Sequence, residues 1–448
     1  MMKTIFALIL CLFAAHGEAS IKTYLNHNQG SRYTDPYRKI TRPGDNLEQV
    51  ILDEIGLANK SIYLAVQEMR LPLVAQALIQ KKNQGVDVRV VLEHDYNYNI
   101  MTQRDVPESD EHDTSKVDEL TAFVDVNKNG KIEIQELETR DAMYMLQKAG
   151  IPILDDTSDA SKGSALMHHK FMVVDEKSTI ISTANFTMSC IHGDLLSPSS
   201  RGNANSVVQI NSVALSKLFN EEFKQLWGNG KRGNFGHNKT YRGPQTVTVS
   251  GAKITVQFSP TSRRYLWEES VNGLIAQHLG EARQSVKSAL FVFSEQRIAN
   301  VLEIVSNLGV GVGVLIEPKF AYRYYSELLD MLGLEMLNAK CAYEPDNRPW
   351  ANPIKEAGMA RLAIGDVLHH KFAVVDGKTV IVGSQNWSDA ANHLNDETLI
   401  VIQNQAISDV YTQEYERLKK SSFLGTPSRT LAEIQEIEES CEAFRQQR

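Results

Sequence analysis

The sequence predicts two similar α/β domains, each a mixed β-sheet flanked by helices, related by an approximate two-fold axis. Three internal matches carry that expectation. The stretch "ANKSIYLAVQEMRLPLVAQALIQKKNQGVDVRVVLE" (58–93) runs parallel to "ARQSVKSALFVFSEQRIANVLEIVSNLGVGVGVLIE" (282–317). "MHHKFMVVDEKSTIISTANFT" (167–187) returns as "LHHKFAVVDGKTVIVGSQNWS" (368–388). "ALSKLFNEEFKQLW" (214–227) is answered by "AISDVYTQEYERLK" (406–419), an amphipathic helix closing each half.

Taken in order, the chain opens with a positive "MMK", an apolar "TIFALILCLFAA" and a small-residue exit "HGEAS". That pattern reads as an export signal over residues 1–19, cleaved after Gly17 or Ala19. The first domain is expected over 20–227. Its opening match reads as a strand, a helix with apolar residues three and four apart, a Gly-containing turn and a β-branched strand, a β-α-β unit. "LQKAGIPIL" (146–154) is matched to "IKEAGMARL" (354–362). The offset between halves falls from 224 at Glu93 and Glu317 to 201 at His168 and His369, so the first half carries a net 23 extra residues. "GNGKRGNFGHNKTYRGPQ" (228–245), rich in Gly, Asn and basic residues, reads as a solvated linker, and 246–448 form the second domain.

Read as a strand, the second copy of the motif places His369 and Lys371 on one face and His370 on the other. Asp376 closes the strand at a turn with Gly377, and "TVIVGSQN" returns so that Ser384 and Asn386 sit beside His369 and Lys371. An imidazole, an ammonium, a hydroxyl and a carboxamide on one patch suit an anionic, oxygen-rich group. Displacement at phosphorus requires a nucleophile on one side and a proton donor for the leaving oxygen on the other. Two copies facing each other supply both: His168 and His369 flank the phosphorus while Lys170 and Lys371 neutralise its equatorial oxygens. His169 and His370, on the opposite strand face, read as structural.

Both copies resemble the HxKxxxxDxxxxxxGSxN signature of the phospholipase D superfamily. The first carries His168, Lys170, Asp175 and Asn185, with Ser182 and Thr183 in place of Gly-Ser. The second carries His369, Lys371, Asp376, Gly383, Ser384 and Asn386. A lone HxK is a weak signal; two extended copies inside a wider repeat are a strong one. The resemblance spans nearly the whole chain after residue 19, apart from one insertion. It implies two phospholipase-D-like domains with the active site between them, and metal-independent, two-step phosphodiester hydrolysis through a phosphohistidine. It further implies that His168 attacks and His369 protonates the leaving group, each ring oriented by an acidic residue downstream of its own motif. Glu397 is expected to orient His369. The matching place in the first half holds Asn205, with Asp194 as a possible substitute, which leaves a reversal of the two roles open.

The insertion, about 113–145, contains "DVNKNGKIEIQE" (125–136), which resembles the calcium loop of an EF-hand. Asp125, Asn127 and Asn129 occupy positions 1, 3 and 5, and Gly130 permits the turn. Lys131 offers its carbonyl, Glu133 stands at position 9 and Glu136 at the bidentate twelfth. Two Asn ligands lower the loop's charge, so weak Ca²⁺ binding, in the ~0.1–1 mM range of extracellular modules, is expected. The ion is expected to staple structure and to stay out of catalysis.

A net charge of −8 argues against a dedicated nucleic-acid binder. A phospholipid headgroup phosphodiester is the expected substrate, with peripheral membrane contact and a monomeric chain, since one chain holds both motifs. The alternatives are an exported nuclease, with Lys231, Arg232, Phe235, Lys239, Tyr241 and Arg242 holding a backbone, and a non-catalytic, calcium-stabilised surface binder. Beyond residue 19, Cys190, Cys341 and Cys441 allow one disulfide at most, its pairing open. No later stretch approaches the ~18 apolar residues of a membrane span.

Overall fold

The computed structural model describes residues 19–103, 111–158 and 165–446. The expected export signal, apart from Ala19, lies outside the described residues. The first sheet is built from β1 (Ser20–Leu25), β2 (Ser61–Val66), β3 (Asp87–Leu92), β4 (Ile153–Asp155), β5 (Lys170–Val174), β6 (Ser178–Ser182) and β7 (Ser206–Asn211), in the order β1-β7-β6-β5-β2-β3-β4. The second uses β8 (Gln245–Val249), β9 (Ala252–Phe258), β10 (Ser285–Leu290), β11 (Gly311–Ile316), β12 (Ala357–Met359), β13 (Lys371–Val375), β14 (Thr379–Gly383), β15 (Thr398–Gln403) and β16 (Phe423–Leu424). Its order, β8-β9-β15-β14-β13-β10-β11-β12-β16, repeats the first with one strand added at each edge.

Both sheets are mixed, as the repeat predicts. The β-α-β strands pair in parallel, Ile62 with Val88 and Val286 with Val312. The motif strands pair antiparallel, Phe171 with Ile181 and Ala373 with Ile381. The crossover helices α1 (Pro72–Asn83) and α5 (Gln296–Asn307) end just before Gly85 and Gly309, at φ +89° and +91°. Glycine enters that region without a Cβ penalty, which is why the same turn is written twice. The match of 146–154 to 354–362 slips by four residues. Ile153 pairs with Val90 and Ala357 with Val314; four residues separate the helix Ala142–Lys148 from β4, whereas the helix Glu327–Met331 ends well before β12.

Three cores follow. One lies behind the first sheet under α1, one behind the second under α5. The third is shared and takes the apolar faces of the closing helices, α4 (Val213–Trp227) and α6 (Gln405–Ser421). It joins Phe171, Phe219 and Phe258 to Phe372, Tyr411 and Tyr415. Neither sheet could shed this core to water, so the halves are fixed to each other by the hydrophobic effect. The inserted helices α2 (Glu111–Val124) and α3 (Ile134–Arg140) flank the Asp125–Glu136 loop. They dock on the first domain through Leu120, Val124 and Leu137.

Residues 228–245 are not the solvated linker expected. Phe235 is 2% exposed, and the Lys239 ammonium is buried between Glu222 at 2.5 Å and Asp396 at 2.7 Å. Arg242 also pairs with Glu222. Composition conceals this because Lys239 and Arg242 meet carboxylates brought from other elements. Lys231 and Arg232 stay exposed, as a solvated segment predicts. A last helix, α7 (Ser428–Gln446), has no counterpart in the first half, and Cys441 on it is bonded to Cys341. Cys190 stays a buried thiol.

Lys239→Met is expected to cost about 3–5 kcal/mol, since it strands the buried Asp396 carboxylate and leaves Glu222 only Arg242 and His169. Urea denaturation of the variant measures it; a loss under 1 kcal/mol contradicts the keystone role of this ammonium.

Candidate active site

Each motif strand starts at a lysine, and its histidine stands two residues earlier, where the chain leaves its own sheet for the other half. His168 N–H donates to Asp396 O (2.9 Å) and Asp396 N–H to Leu166 O (2.8 Å). In the mirrored place, His369 N–H donates to Ala204 O (3.1 Å) and Ala204 N–H to Val367 O (2.9 Å). Met167–Asp396 and Ala204–Leu368 are thus parallel bridges, one per half. Each bridge sets a histidine beside the residue that follows the bridge partner on the other chain segment.

Those residues are Glu397 and Asn205. His168 Nδ1 lies 2.7 Å from Glu397 Oε2, and His369 Nδ1 3.0 Å from Asn205 Oδ1. The expectation that Glu397 orients His369 is therefore corrected. Each histidine is oriented by the other half, because the bridge carries the downstream segment across the interface. Asn205 Nδ2 donates to Cys190 O and its Oδ1 accepts from Thr183 Oγ (2.9 Å), so the oxygen faces the ring. Both Nδ1 atoms then carry the proton, leaving both Nε2 atoms for chemistry. Ser384, the counterpart of Thr183, bonds the Glu397 carboxylate, so a hydroxyl steadies each orienting group. Asp194 accepts from Leu196 N and from Ser197 Oγ and makes no bond to either ring.

Lys170 and Lys371 are each 1% exposed and donate to the backbone oxygens of His168 (2.8 Å) and His369 (2.7 Å). Among the described residues neither ammonium makes an ion pair. Two buried cations without a bonded counter-charge mark a place for an anion. Burial pushes Lys170 down to about 8, and burial together with the Lys170 ammonium holds Lys371 well below the usual lysine range. Burial and both lysines likewise hold His168 and His369 well below the usual imidazole range. Burial raises Glu397 to about 7 against the pull of Lys170. Asn185 and Asn386 end the motif loops with shielded, unpartnered Oδ1 atoms.

Asp175 and Asp376 do not belong to this group. They lie five residues beyond the lysines, about 16 Å along an extended strand. Their carboxylates accept the backbone N–H groups of Asn59, Lys60 and Ser61, and of Arg283, Gln284 and Ser285. Those bonds hold both carboxyls below the usual range and pin the start of β2 and β10. His169 and His370 face the shared core and bond Glu222 and Glu414 on the closing helices. Glu222, Asp396 and His169 converge as a metal cluster would, but the Lys239 ammonium occupies their centre.

Sequence reasoning missed four further contacts. Glu93 and Glu317 accept the backbone N–H of Met167 and of Leu368, each the residue before a catalytic-position histidine. They stand at equal places in the repeat, which was the signal available. Gln67 Oε1 accepts from Lys170 (3.2 Å), whereas its counterpart Phe291 packs on His369 and offers its ring face to Lys371 at 4.9 Å.

In the insertion, Asp125, Asn127 and Asn129 turn their oxygens inward onto the N–H groups of Asn129, Gly130 and Lys131. Glu136 reaches back to Asn127 and Glu133 N–H, and Glu133 Oε1 accepts from Asn129. Gly130 takes φ +75°. The acceptors of a cation loop therefore converge around one turn.

A family profile described as "Cardiolipin synthase, PLD-like domain" matches residues 51–227 and 275–419. The chain belongs to this phospholipase D-like family. Over 139 residues it is 28% identical to the mitochondrial cardiolipin hydrolase of Xenopus tropicalis, covering 31% of this chain and 55% of that one. It thus spans about half the length of the curated relatives of that kind. It is 24% identical over 174 residues to the phospholipase D of Rickettsia conorii, covering 39% of this chain and 73% of that one. The phosphatidylserine synthase structure from Haemophilus influenzae Rd KW20 superposes with a TM-score of 0.55 over 90% of this chain and 87% of that one, at 11% identity. The two-domain fold of the family is therefore that of this chain.

Two outcomes are expected from this geometry. His168→Ala and His369→Ala should each lower phosphodiester turnover by several orders of magnitude, and more than a tenth of wild-type activity in either contradicts a shared site. kcat/KM should rise with pH through about 7, as Glu397 ionises and can hold the His168 proton, and fall above about 8, as Lys170 loses its charge. Glu397→Gln should lose the rising limb and about 10²–10⁴-fold in rate.

Proposed function

We propose that this protein is an exported phosphodiesterase that hydrolyses a phospholipid headgroup diester through a phosphohistidine on His168. The observation that carries the reading is the crosswise pair of rings above two buried, unpaired ammonium groups. His168 Nε2 attacks phosphorus, the bond to the leaving oxygen breaks, and His369, doubly protonated beside the bound phosphate anion, gives its Nε2 proton to that oxygen. Water then attacks the phosphohistidine, giving its proton to His369 and releasing His168. Glu397 supports His168 as the nucleophile, because a carboxylate at Nδ1 offsets the positive charge the ring gains on phosphorylation. Asn205 offers no such charge to His369, whose task is to pass a proton. Lys170 and Lys371 neutralise the phosphoryl oxygens, so these residues supply each step of the chemistry.

Lipid is favoured over nucleic acid by the relatives that cleave cardiolipin and phospholipid and by the pairing of Lys239 and Arg242 with buried carboxylates. The export reading rests on the leader-like residues 1–19 and on one disulfide, which persists in oxidising compartments. Among the described residues no helix is long and apolar enough to cross a membrane. For the insertion, Asp125, Asn127, Asn129, Glu133, Glu136 and the Lys131 carbonyl would hold Ca²⁺ and close the loop between α2 and α3.

The purified protein should release headgroups from phospholipid vesicles and leave single- and double-stranded DNA intact, with EDTA present or absent; DNA cleavage with inert vesicles overturns the lipid reading. Chelation should spare the chemical step while lowering Tm. Calcium at 100 times its Kd stabilises by about 2.7 kcal/mol if only the folded form binds. Glu136→Gln should mimic EDTA. A fully folded protein whose kcat vanishes on chelation and returns with calcium contradicts the structural role.

A further inference from the structure

A cavity of 240 Å³ opens between the two halves and the inserted helix α2. Its wall leads back to the reacting groups along four separate segments. Val367 stands two residues before His369, Asn203 two before Asn205, Thr187 two after Asn185, and Glu68 directly after Gln67, the partner of Lys170. Alternation along an extended segment puts residues two apart on one side, which holds for Val367, Asn203 and Thr187, so the cavity adjoins the site where those three segments converge. Val367 and Asn203 bring it against His369 and its orienting amide, the side from which the leaving oxygen receives its proton.

The far wall is the insertion. Glu119, Leu120 and Phe123 of α2 lie on one helical face toward the cavity, opposite Met188 and Leu195. No equivalent helix exists in the second half, so the insertion makes the pseudo-symmetric site one-sided. At about 30 Å³ per water, the volume equals roughly eight waters. That admits an alcohol of a few carbons and excludes a pair of acyl chains. Its charged groups balance, Glu68 and Glu119 against Arg70 and Lys319. Arg70 is already spent on Glu68, Tyr98 O and Tyr96 O and lies over the Tyr98 ring at 4.2 Å. A balanced, partly apolar wall with two carboxylates accepts a neutral or singly cationic polar group and disfavours a second phosphate.

We infer that this cavity is the leaving-group pocket, that α2 of the insertion is its specificity wall, and that it takes a small headgroup alcohol that is neutral or carries one positive charge. The inference rests on the phosphodiesterase reading above and adds which side of the diester is recognised. The test uses the full chain, with monomeric dihexanoyl phosphatidylcholine and the methyl ester of dihexanoyl phosphatidic acid as substrates, the methyl group being too small to fill the cavity. Ser189→Trp, which projects a ring into the space, should lower the choline-to-methyl ratio of kcat/KM by about tenfold or more, chiefly through KM for the choline ester. Leu195→Arg at the half-buried rim should act in the same direction should Ser189→Trp not fold. A ratio unmoved in the folded variants overturns the assignment. Calorimetric titration with glycerophosphocholine keeps the two readings separable. Binding that Ser189→Trp weakens by about tenfold, without turnover of either ester, sinks the hydrolase and retains the pocket. Turnover with no such binding and no change of ratio does the reverse. A headgroup bearing a second phosphate that binds as tightly as glycerophosphocholine also overturns the inferred class.

Discussion

Two backbone bridges, Met167 to Asp396 and Ala204 to Leu368, fix where everything reactive in this molecule stands. Each lies at the point where a motif strand leaves its own sheet, and each delivers an orienting residue to a ring of the opposite half. A shift of one residue in either bridge would turn Glu397 or Asn205 to the other side of its strand and leave a ring unsupported. The surrounding structure serves those bridges. The shared aromatic core presses the halves together, Lys239 neutralises Asp396 and Glu222 behind the first bridge, and Glu93 and Glu317 clamp the residue ahead of each histidine.

The repeat is close in fold and loose in charge, and the looseness falls on the reactive groups. Glu397 faces Asn205, Gln67 faces Phe291 and the Asp125–Glu136 loop faces nothing. A symmetric pair of sites would present two equivalent nucleophiles to one phosphorus. Substituting one carboxylate by an amide separates the roles, because a ring beside a carboxylate is steadied as a cation and a ring beside an amide is steadied only in place. The fold sets the two rings opposite each other, and two local substitutions and one insertion tell them apart.

Much of this was legible in the sequence because it is written as periodicity. The strand–helix–glycine–strand unit, the motif faces and the closing helices each follow from spacing, and spacing survives without knowledge of contacts. The partner of Glu397 was not legible. Distance along the chain assigns it to His369, 28 residues away, whereas the bridge hands it to His168, 229 residues away. Asp175 and Asp376 show the limit of repetition as a signal. They recur with the histidines because the strand end must be pinned, and recurrence alone cannot tell a pin from a reagent. The basic stretch at 228–245 looked solvated because composition says nothing of Glu222 and Asp396, which come from elsewhere to meet it.

The bond between Cys341 and Cys441 closes a loop of 100 residues, and the whole second motif, from Lys371 through Glu397, lies inside that loop. Ring closure of this length removes conformations from the unfolded chain equivalent to about 4.7 kcal/mol in the chain-entropy description. It also makes residues 341–441 a covalent ring. A protease that nicks any exposed turn between the two cysteines opens the ring without releasing a fragment, so the cut ends stay tethered at the effective concentration of one molecule. The reacting groups of the second half are thereby protected against loss by cleavage, and the first half, held by packing alone, has no comparable insurance.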